Sequence, residues 1–174
     1  MTEPHRTTRT SRCLLMKLWW SFISLLFIVL PSLGEAADFS GRVVAILEGD
    51  TLEVLLNGNT QRVRMYGIDC PKKGQAFGNH AKQAASALVF AQEVTLEIHV
   101  KDRYGNSLAE ILLADGTNVG HSLVKDGWCW WYRKYAPDDT VLESLEKEAR
   151  QTGKGLWVDP DPIAPWKWRK IRMD

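Results

Sequence analysis

The 174-residue sequence predicts an α+β fold in which five short strands form a small barrel with three helices. Two observations support this prediction. Three alternating segments joined by tight turns begin at Gly41, and two further strand segments follow an alanine-rich stretch. Five strands with an intervening helix fit a five-stranded OB-fold Greek-key β-barrel better than a sandwich, which needs more strands.

The first three strands are predicted in RVVAIL, TLEVLL and TQRVRMYGI. Glu48-Gly49-Asp50 forms the first turn, and Asn57-Gly58-Asn59 forms the second. Asn-Gly supplies the positive φ that a short hairpin requires, so these strands are expected to be antiparallel neighbours. VTLEIHV and SLAEILLADG predict a second hairpin around residues 102–106.

Three segments have the composition and spacing of helices. NHAKQAASALVFA is rich in alanine and predicts a helix that starts near Asn79. Asn118 is a predicted cap for a short helix that stops at Gly127. TVLESLEKEARQTGKG predicts the last helix, because its apolar residues form one stripe.

Residues 1–36 have the order of a secretory signal peptide. Basic residues precede the apolar run LWWSFISLLFIVL, which is followed by Pro31 and the small-residue stretch SLGEAAD. Cleavage after Ala36 is expected, with export to the periplasm or the extracellular medium. An uncleaved N-terminal anchor is the alternative, although this run is short for a span of about 20 residues.

The rest of the chain is predicted to be one domain, residues 37–160, followed by a C-terminal tail, residues 161–174. Four of the 22 basic and two of the 21 acidic residues precede residue 37, which leaves 18 and 19 and a net charge of −1. This net charge excludes a strongly basic protein that attracts nucleic acid through an overall positive field. Any such affinity must come from a local site.

Two cysteines, Cys70 and Cys129, remain in the exported part of the chain. In an oxidising compartment a pair of cysteines suggests one disulfide. Two free buried thiols are the alternative.

Five segments follow one another along the chain: GDT at 49–51, RVRMYGID at 62–69, DRYGNSLAEI at 102–111, LVKDGW at 123–128 and GLW at 155–157. In their order and spacing they resemble the staphylococcal nuclease (thermonuclease) family. The resemblance covers about residues 41–157. It implies an OB barrel with three helices and Ca²⁺-dependent hydrolysis of phosphodiester bonds in DNA and RNA.

The resemblance also implies roles for single residues. Asp50 and Asp69 would ligate calcium together with the backbone carbonyl of Cys70, since Ca²⁺ prefers oxygen ligands. Arg64 would grip the scissile phosphate, because a guanidinium matches two phosphate oxygens. Two tyrosines would contact the substrate: Tyr104 at the phosphate and Tyr135 in the nucleotide pocket.

Two positions depart from the family's pattern. Lys72 stands where the family has a glutamate, and Asn106 stands where it has an arginine. A charged lysine cannot accept a proton from the attacking water, and an asparagine brings no charge to the pentacoordinate phosphate. Groups in nearby segments that could compensate are Glu48, Lys73, Arg103 and Arg133. Arg103 and Arg133 are also predicted to bind the substrate.

The sequence therefore leads to two functional hypotheses. The first is an exported, monomeric nuclease that acts on single-stranded or denatured DNA and RNA, has no stable protein partner, binds calcium weakly and has attenuated activity. The second is a catalytically silent OB module that binds nucleic acid or another anionic polymer. The aromatic stretch GWCWWYRKY is interpreted as core and pocket wall, with a base-stacking platform as the alternative.

Overall fold

A computed structural model describes residues 39–101 and 106–172. The predicted signal peptide and two predicted substrate-binding residues, Arg103 and Tyr104, lie outside the described residues. No helix within the described ranges combines the length and the apolar character that a membrane span requires.

Strands account for most of the first half of the described chain. They are β1 (Phe39–Glu48), β2 (Thr51–Leu56), β3 (Asn59–Met65), β4 (Ile68–Asp69), β5 (Glu93–Lys101), β6 (Ser107–Leu112) and β7 (Trp130–Trp131). Five of them close into a barrel in the order β1-β2-β3-β6-β5, and β4 pairs separately with β7. Neighbours in the barrel are antiparallel except β3 and β6, which are parallel. This arrangement confirms the predicted OB-type barrel.

The helices follow the predicted order, with one addition at the C-terminus. They are α1 (Gly78–Val89), α2 (Val119–Lys125), α3 (Thr140–Gln151), a 3₁₀ turn (Gly155–Val158) and α4 (Pro165–Ile171). The Asn118 side chain caps α2 by accepting a hydrogen bond of 3.1 Å from the His121 N–H, as predicted. Helix α4 lies in the segment for which only a C-terminal tail was expected.

The core fills the barrel and the space between the barrel and the first three helices. In β2 the residues at alternate positions, Leu52, Val54 and Leu56, are buried, as the period of two requires. Helix α1 contributes small residues, Ala81 and Ala85, which let it approach the barrel closely. Each large aliphatic side chain buried in this way stabilises the fold by about 1.5–3 kcal/mol.

Two glycines allow the close approaches that position the ends of the strands. A Cβ at Gly49 would lie 2.9 Å from the side chains of both Ala81 and Cys70, so the first turn can lie against the α1 region only with glycine. Gly67 has φ 72° and turns the chain between β3 and β4, a conformation that disfavours any residue with a Cβ. Asp50 directly follows Gly49, and Asp69 lies two residues after Gly67.

A second apolar cluster holds α4 against β7. Trp130, Leu156 and Ala164 are buried in it. The ring of Trp166 in α4 lies 5.5 Å from the Trp130 ring and 5.3 Å from the Tyr132 ring, measured between centroids. Helix α4 is therefore packed beside the strand pair that carries Asp69.

Candidate active site

Two carboxylates at the strand ends are completely buried. Asp50 lies in the β1–β2 turn, Asp69 ends β4, and both are 0% exposed. Asp50 accepts hydrogen bonds from the Thr51 hydroxyl at 2.9 Å and from the Cys70 backbone N–H at 3.0 Å. Because a buried charge is costly unless it is paired, both carboxylates require cations nearby.

Lys72 is the cation that reaches both carboxylates. Its Nζ lies 2.8 Å from an oxygen of Asp50 and 3.2 Å from an oxygen of Asp69. The same nitrogen lies 3.1 Å from an oxygen of Glu48, the last residue of β1. The Lys72 side chain is only 12% exposed. Its ammonium group thus lies among three carboxylates.

Two arginines complete the ion-pair cluster. Arg64 on β3 donates to Asp69 at 2.8 Å and to Asp50 at 3.4 Å. Arg169 on α4 donates to the two oxygens of Asp69 at 3.1 and 2.8 Å. Each of the four oxygens of Asp50 and Asp69 therefore accepts a hydrogen bond from at least one of the three cations.

The cluster shifts the pKa of two of its members. Burial by itself would raise the pKa of Asp50, but the charges of Lys72 and Arg64 and hydrogen bonds from Lys72 and the Cys70 N–H hold this pKa below its ordinary value. Hydrogen bonding to Asp69 raises the pKa of Arg169, although partial burial opposes the change. Both shifts favour the charged forms.

A local turn aims Lys72 at the carboxylates. The Lys72 backbone N–H donates to Gln75 Oε1 at 3.0 Å, and the Gln75 N–H donates back to the Lys72 carbonyl at 2.9 Å. The Gln75 side-chain amide also donates to the Ile163 carbonyl at 2.7 Å. Gln75 thereby connects the Lys72 loop to the segment that leads into α4.

A cavity of about 330 Å³ opens beside the cluster. Its lining includes Arg64, Asn106, Tyr132, Tyr135 and Arg169. A second cavity, of about 410 Å³, shares Tyr132 with the first, and its other lining residues are Trp131, Arg133, Lys134, Trp166 and Lys170. The two cavities are half-open, aromatic and basic, which suits an anionic ligand with planar groups.

The structure brings most of the predicted site residues together. Asp50, Asp69, Arg64 and Lys72 form the cluster, and Asn106 and Tyr135 line the adjoining cavity. Glu48, considered as a compensating acid, lies beside Lys72.

Two of the basic residues considered as compensating groups lie outside the cluster. Lys73 is exposed, makes no ion pair with Asp50 or Asp69 among the described residues, and lines a hollow with Glu48, Asn79 and Lys82. Arg133 stacks over the Trp131 ring at 4.0 Å and pairs with Glu146 at 3.3 Å. Arg169, which no motif indicated, occupies the cluster instead. The basic and aromatic run PWKWRK is the feature of the sequence that could have indicated it.

Cys70 and Cys129 form a disulfide, with their Cα atoms 4.2 Å apart. The bridge ties the residue after Asp69 to the residue before β7. Trp130 and Trp131, next along the aromatic stretch, are buried, whereas Tyr135 is exposed. The stretch thus contributes to the core at its start and to the cavities at its end.

The residues present do not fit a calcium site in this arrangement. Ca²⁺ takes six to eight oxygen ligands, and within the described ranges no group of three or more His, Cys, Asp or Glu side chains forms a metal site. A calcium ion at Asp50 and Asp69 would have to displace the ammonium group of Lys72 and would meet two guanidinium groups.

Comparison with known proteins identifies the family. The family model described as staphylococcal nuclease homologue matches residues 62–159. The chain belongs to the staphylococcal nuclease family. A protein named micrococcal nuclease from Shigella flexneri is 43% identical over 152 residues, which cover 82% of this chain and 87% of that protein.

Other relatives of the family agree along nearly their whole length. A protein named uncharacterized endonuclease from Escherichia coli O157:H7 is 42% identical over 133 residues, covering 76% of this chain and 86% of the relative. Another with the same name, from Haemophilus influenzae, is 38% identical over 155 residues, covering 88% and 85%. These matches establish a nuclease-like protein of the staphylococcal nuclease family.

Proposed function

We propose that this nuclease-family protein binds single-stranded or denatured DNA and RNA beside Arg64 and hydrolyses their phosphodiester bonds at an attenuated rate. The observation that carries the proposal is the position of Arg64. It is anchored on two buried carboxylates and lines a cavity that also contains Tyr132 and Tyr135. A guanidinium fixed in this way can donate to two phosphate oxygens of a bound strand.

The attenuation follows from Lys72. Its ammonium group lies among Glu48, Asp50 and Asp69, and a charged lysine has no lone pair with which to accept a proton from water. Loss of a general base costs about 10²–10⁴ in rate. The remaining acceleration would come from positioning and from positive charge at the phosphate.

We assign the Glu48 carboxylate as the general base for residual catalysis. Of the three carboxylates around Lys72, Asp50 and Asp69 are buried, while the Glu48 side chain is 34% exposed. An exposed oxygen can contact a water molecule at the rim of the cluster and accept its proton. The ion pair with Lys72 at 3.1 Å also restrains the Glu48 carboxylate.

The paired cavities support a single-stranded substrate. Tyr132 lies between them, and Arg133 and Lys134 add positive charge along the second. Stacking of a base on an aromatic side chain contributes about 1–3 kcal/mol and requires an unpaired base. A strand crossing both cavities would therefore be preferred over a duplex.

We also propose weak calcium binding and export. Calcium competes with Lys72 for Asp50 and Asp69, and this competition lowers its affinity. The order of segments in residues 1–36 supports export to the periplasm or medium. N-terminal sequencing of the exported protein should begin at or near Ala37; an intact Met1 or Met16 would contradict cleavage.

A digestion assay on heat-denatured DNA tests the proposed activity. The natural chain should cleave slowly, and Glu48→Gln should reduce the rate by about 10²-fold, in the range for loss of a general base. Glu53→Gln is the matched control, because Glu53 pairs only loosely with Arg62 at 3.9 Å on the barrel surface. Equal rates for the two variants would remove Glu48 from the mechanism.

The silent binding module remains the second candidate, and one observation favours it. Every oxygen of the two buried carboxylates is already engaged by a cation. If the natural chain retains a labelled oligonucleotide but releases no fragments, binding without hydrolysis is its function. If it neither binds nor cleaves, both candidates fail.

A further inference from the structure

Helix α4 brings an arginine to the cavity where Asn106 lies. Arg169 and Asn106 line the same space as Arg64. Asn106, which directly precedes β6, is uncharged, and Arg169 brings a cation to the same cavity from the C-terminal helix. The two positions are far apart in sequence but open to one cavity.

Arg169 is held rigidly at this place. Both of its terminal nitrogens donate to Asp69, at 3.1 and 2.8 Å, in the bidentate geometry that fixes a guanidinium plane. Trp166, one helical turn earlier, packs against Trp130 and Tyr132. Gln75 ties the segment before the helix to the Lys72 loop. Little reorganisation would therefore precede ligand binding.

The Arg169 guanidinium has N–H donors left for a ligand. Arginine has five N–H donors, and two hydrogen bonds go to Asp69. The side chain is 37% exposed, and it lies at the cavity. Arg64 bonds the same oxygen of Asp69, so the two guanidinium groups converge. Convergent guanidinium groups are suited to one phosphate with two non-bridging oxygens.

We propose that Arg169 is a phosphate-binding residue that supplies from the C-terminal helix the cation that Asn106 cannot. It donates to a non-bridging oxygen of the phosphodiester bound by Arg64 and stabilises the negative charge there. The inference rests on the proposed nucleic-acid binding of the same cavity.

Binding of a 5′-labelled single-stranded oligonucleotide, followed by fluorescence anisotropy over a range of salt concentrations, tests this role. Arg169→Gln should weaken binding by at least about 10-fold and reduce the slope of log K against log salt by about 0.7, the value for one phosphate contact on a single strand. Lys167→Gln, an exposed change on the same helix, should alter affinity less than about twofold.

A charge-relocation variant separates phosphate binding from a structural role. Adding Asn106→Arg to Arg169→Gln returns a cation to the cavity from the other side and should recover most of the affinity and the salt slope. Thermal unfolding of each variant monitors folding. If Arg169 only neutralises Asp69, the double variant will regain no affinity, and that result overturns the proposal.

The remaining outcomes are also decisive. Tighter binding by Arg169→Gln would mean that α4 obstructs the cavity, and it would refute the role as well. Natural-like binding by Arg169→Gln would refute it while leaving the proposed function intact. Failure of the natural chain to bind any oligonucleotide would instead reject the proposed function itself.

Discussion

At the scale of single residues, the position of Lys72 sets the charge balance of the candidate site. Its ammonium group is nearly buried and lies within 3.2 Å of Glu48, Asp50 and Asp69. Arg64 and Arg169 supply the rest of the positive charge. The two buried carboxylates are thus paired with cationic side chains of this chain.

Lys72→Met should destabilise the protein at neutral pH by about 3 kcal/mol, the low end for breaking a buried ion pair, because two arginines remain. Lys73→Met, a neighbouring exposed change, should stay within about 0.5 kcal/mol. Urea unfolding at pH 7 measures both. Equal effects of the two substitutions would show that Lys72 is not paired as the structure shows.

The same variants should respond differently to acid. In the natural chain the folded pKa of Asp50 is depressed, so its stabilisation is present above the unfolded value of about 3.9 and is lost as pH falls through the folded pKa. Without Lys72, the main cause that lowers this pKa is removed, so the pKa of Asp50 is higher than in the natural chain. The difference between Lys72→Met and the natural chain should therefore shrink below about pH 4, and a difference independent of pH would contradict this.

Much of the cluster was predictable from sequence, and one member was not. Asp50, Arg64, Asp69 and Lys72 lie on turns and strands whose neighbours are close in the chain, so short motifs indicate them. Arg169 lies 100 residues from Asp69 in sequence. Its position depends on how Trp166 packs, which no local pattern encodes.

At the scale of elements, the disulfide links the loop after β4 to β7. It lies beside the Cys70 N–H that holds Asp50, so it stabilises the site as well as the fold. Replacing both cysteines by alanine should lower the free energy of unfolding by about 2–5 kcal/mol. Thiol titration of denatured, non-reduced exported protein should find no free thiol; two would contradict the bridge.

The elements differ in how far the sequence reveals them. Period-two alternation and Asn-Gly indicate β1 to β3, and the cap Asn118 indicates α2, because these signals are local. Helix α4 has seven residues, too few to be stable alone, and depends on packing against Trp130. Its tertiary origin explains why the sequence suggested only a tail.

At the scale of the whole molecule, the candidate site is formed by residues of β3, β4, the Lys72 loop and α4. The chain after residue 36 carries a net charge of −1, so a general positive field does not attract nucleic acid. Arg64 and Arg169 line one of two adjoining cavities. The basic residues of the other are Arg133, Lys134 and Lys170. The family's fold is retained, and Lys72 pairs with the two buried carboxylates that the resemblance to the family assigns to a metal.

Calcium titration by calorimetry tests whether Lys72 competes with calcium for Asp50 and Asp69. It compares the natural chain with Lys72→Glu and with the control Lys73→Glu. Lys72→Glu removes the competing ammonium group and adds a carboxylate, so it should bind Ca²⁺ at least about 10-fold more tightly than the natural chain, and its melting temperature should rise with calcium. The natural chain and Lys73→Glu should bind weakly and alike. If the natural chain binds calcium as tightly as Lys72→Glu, Lys72 does not compete with calcium for Asp50 and Asp69.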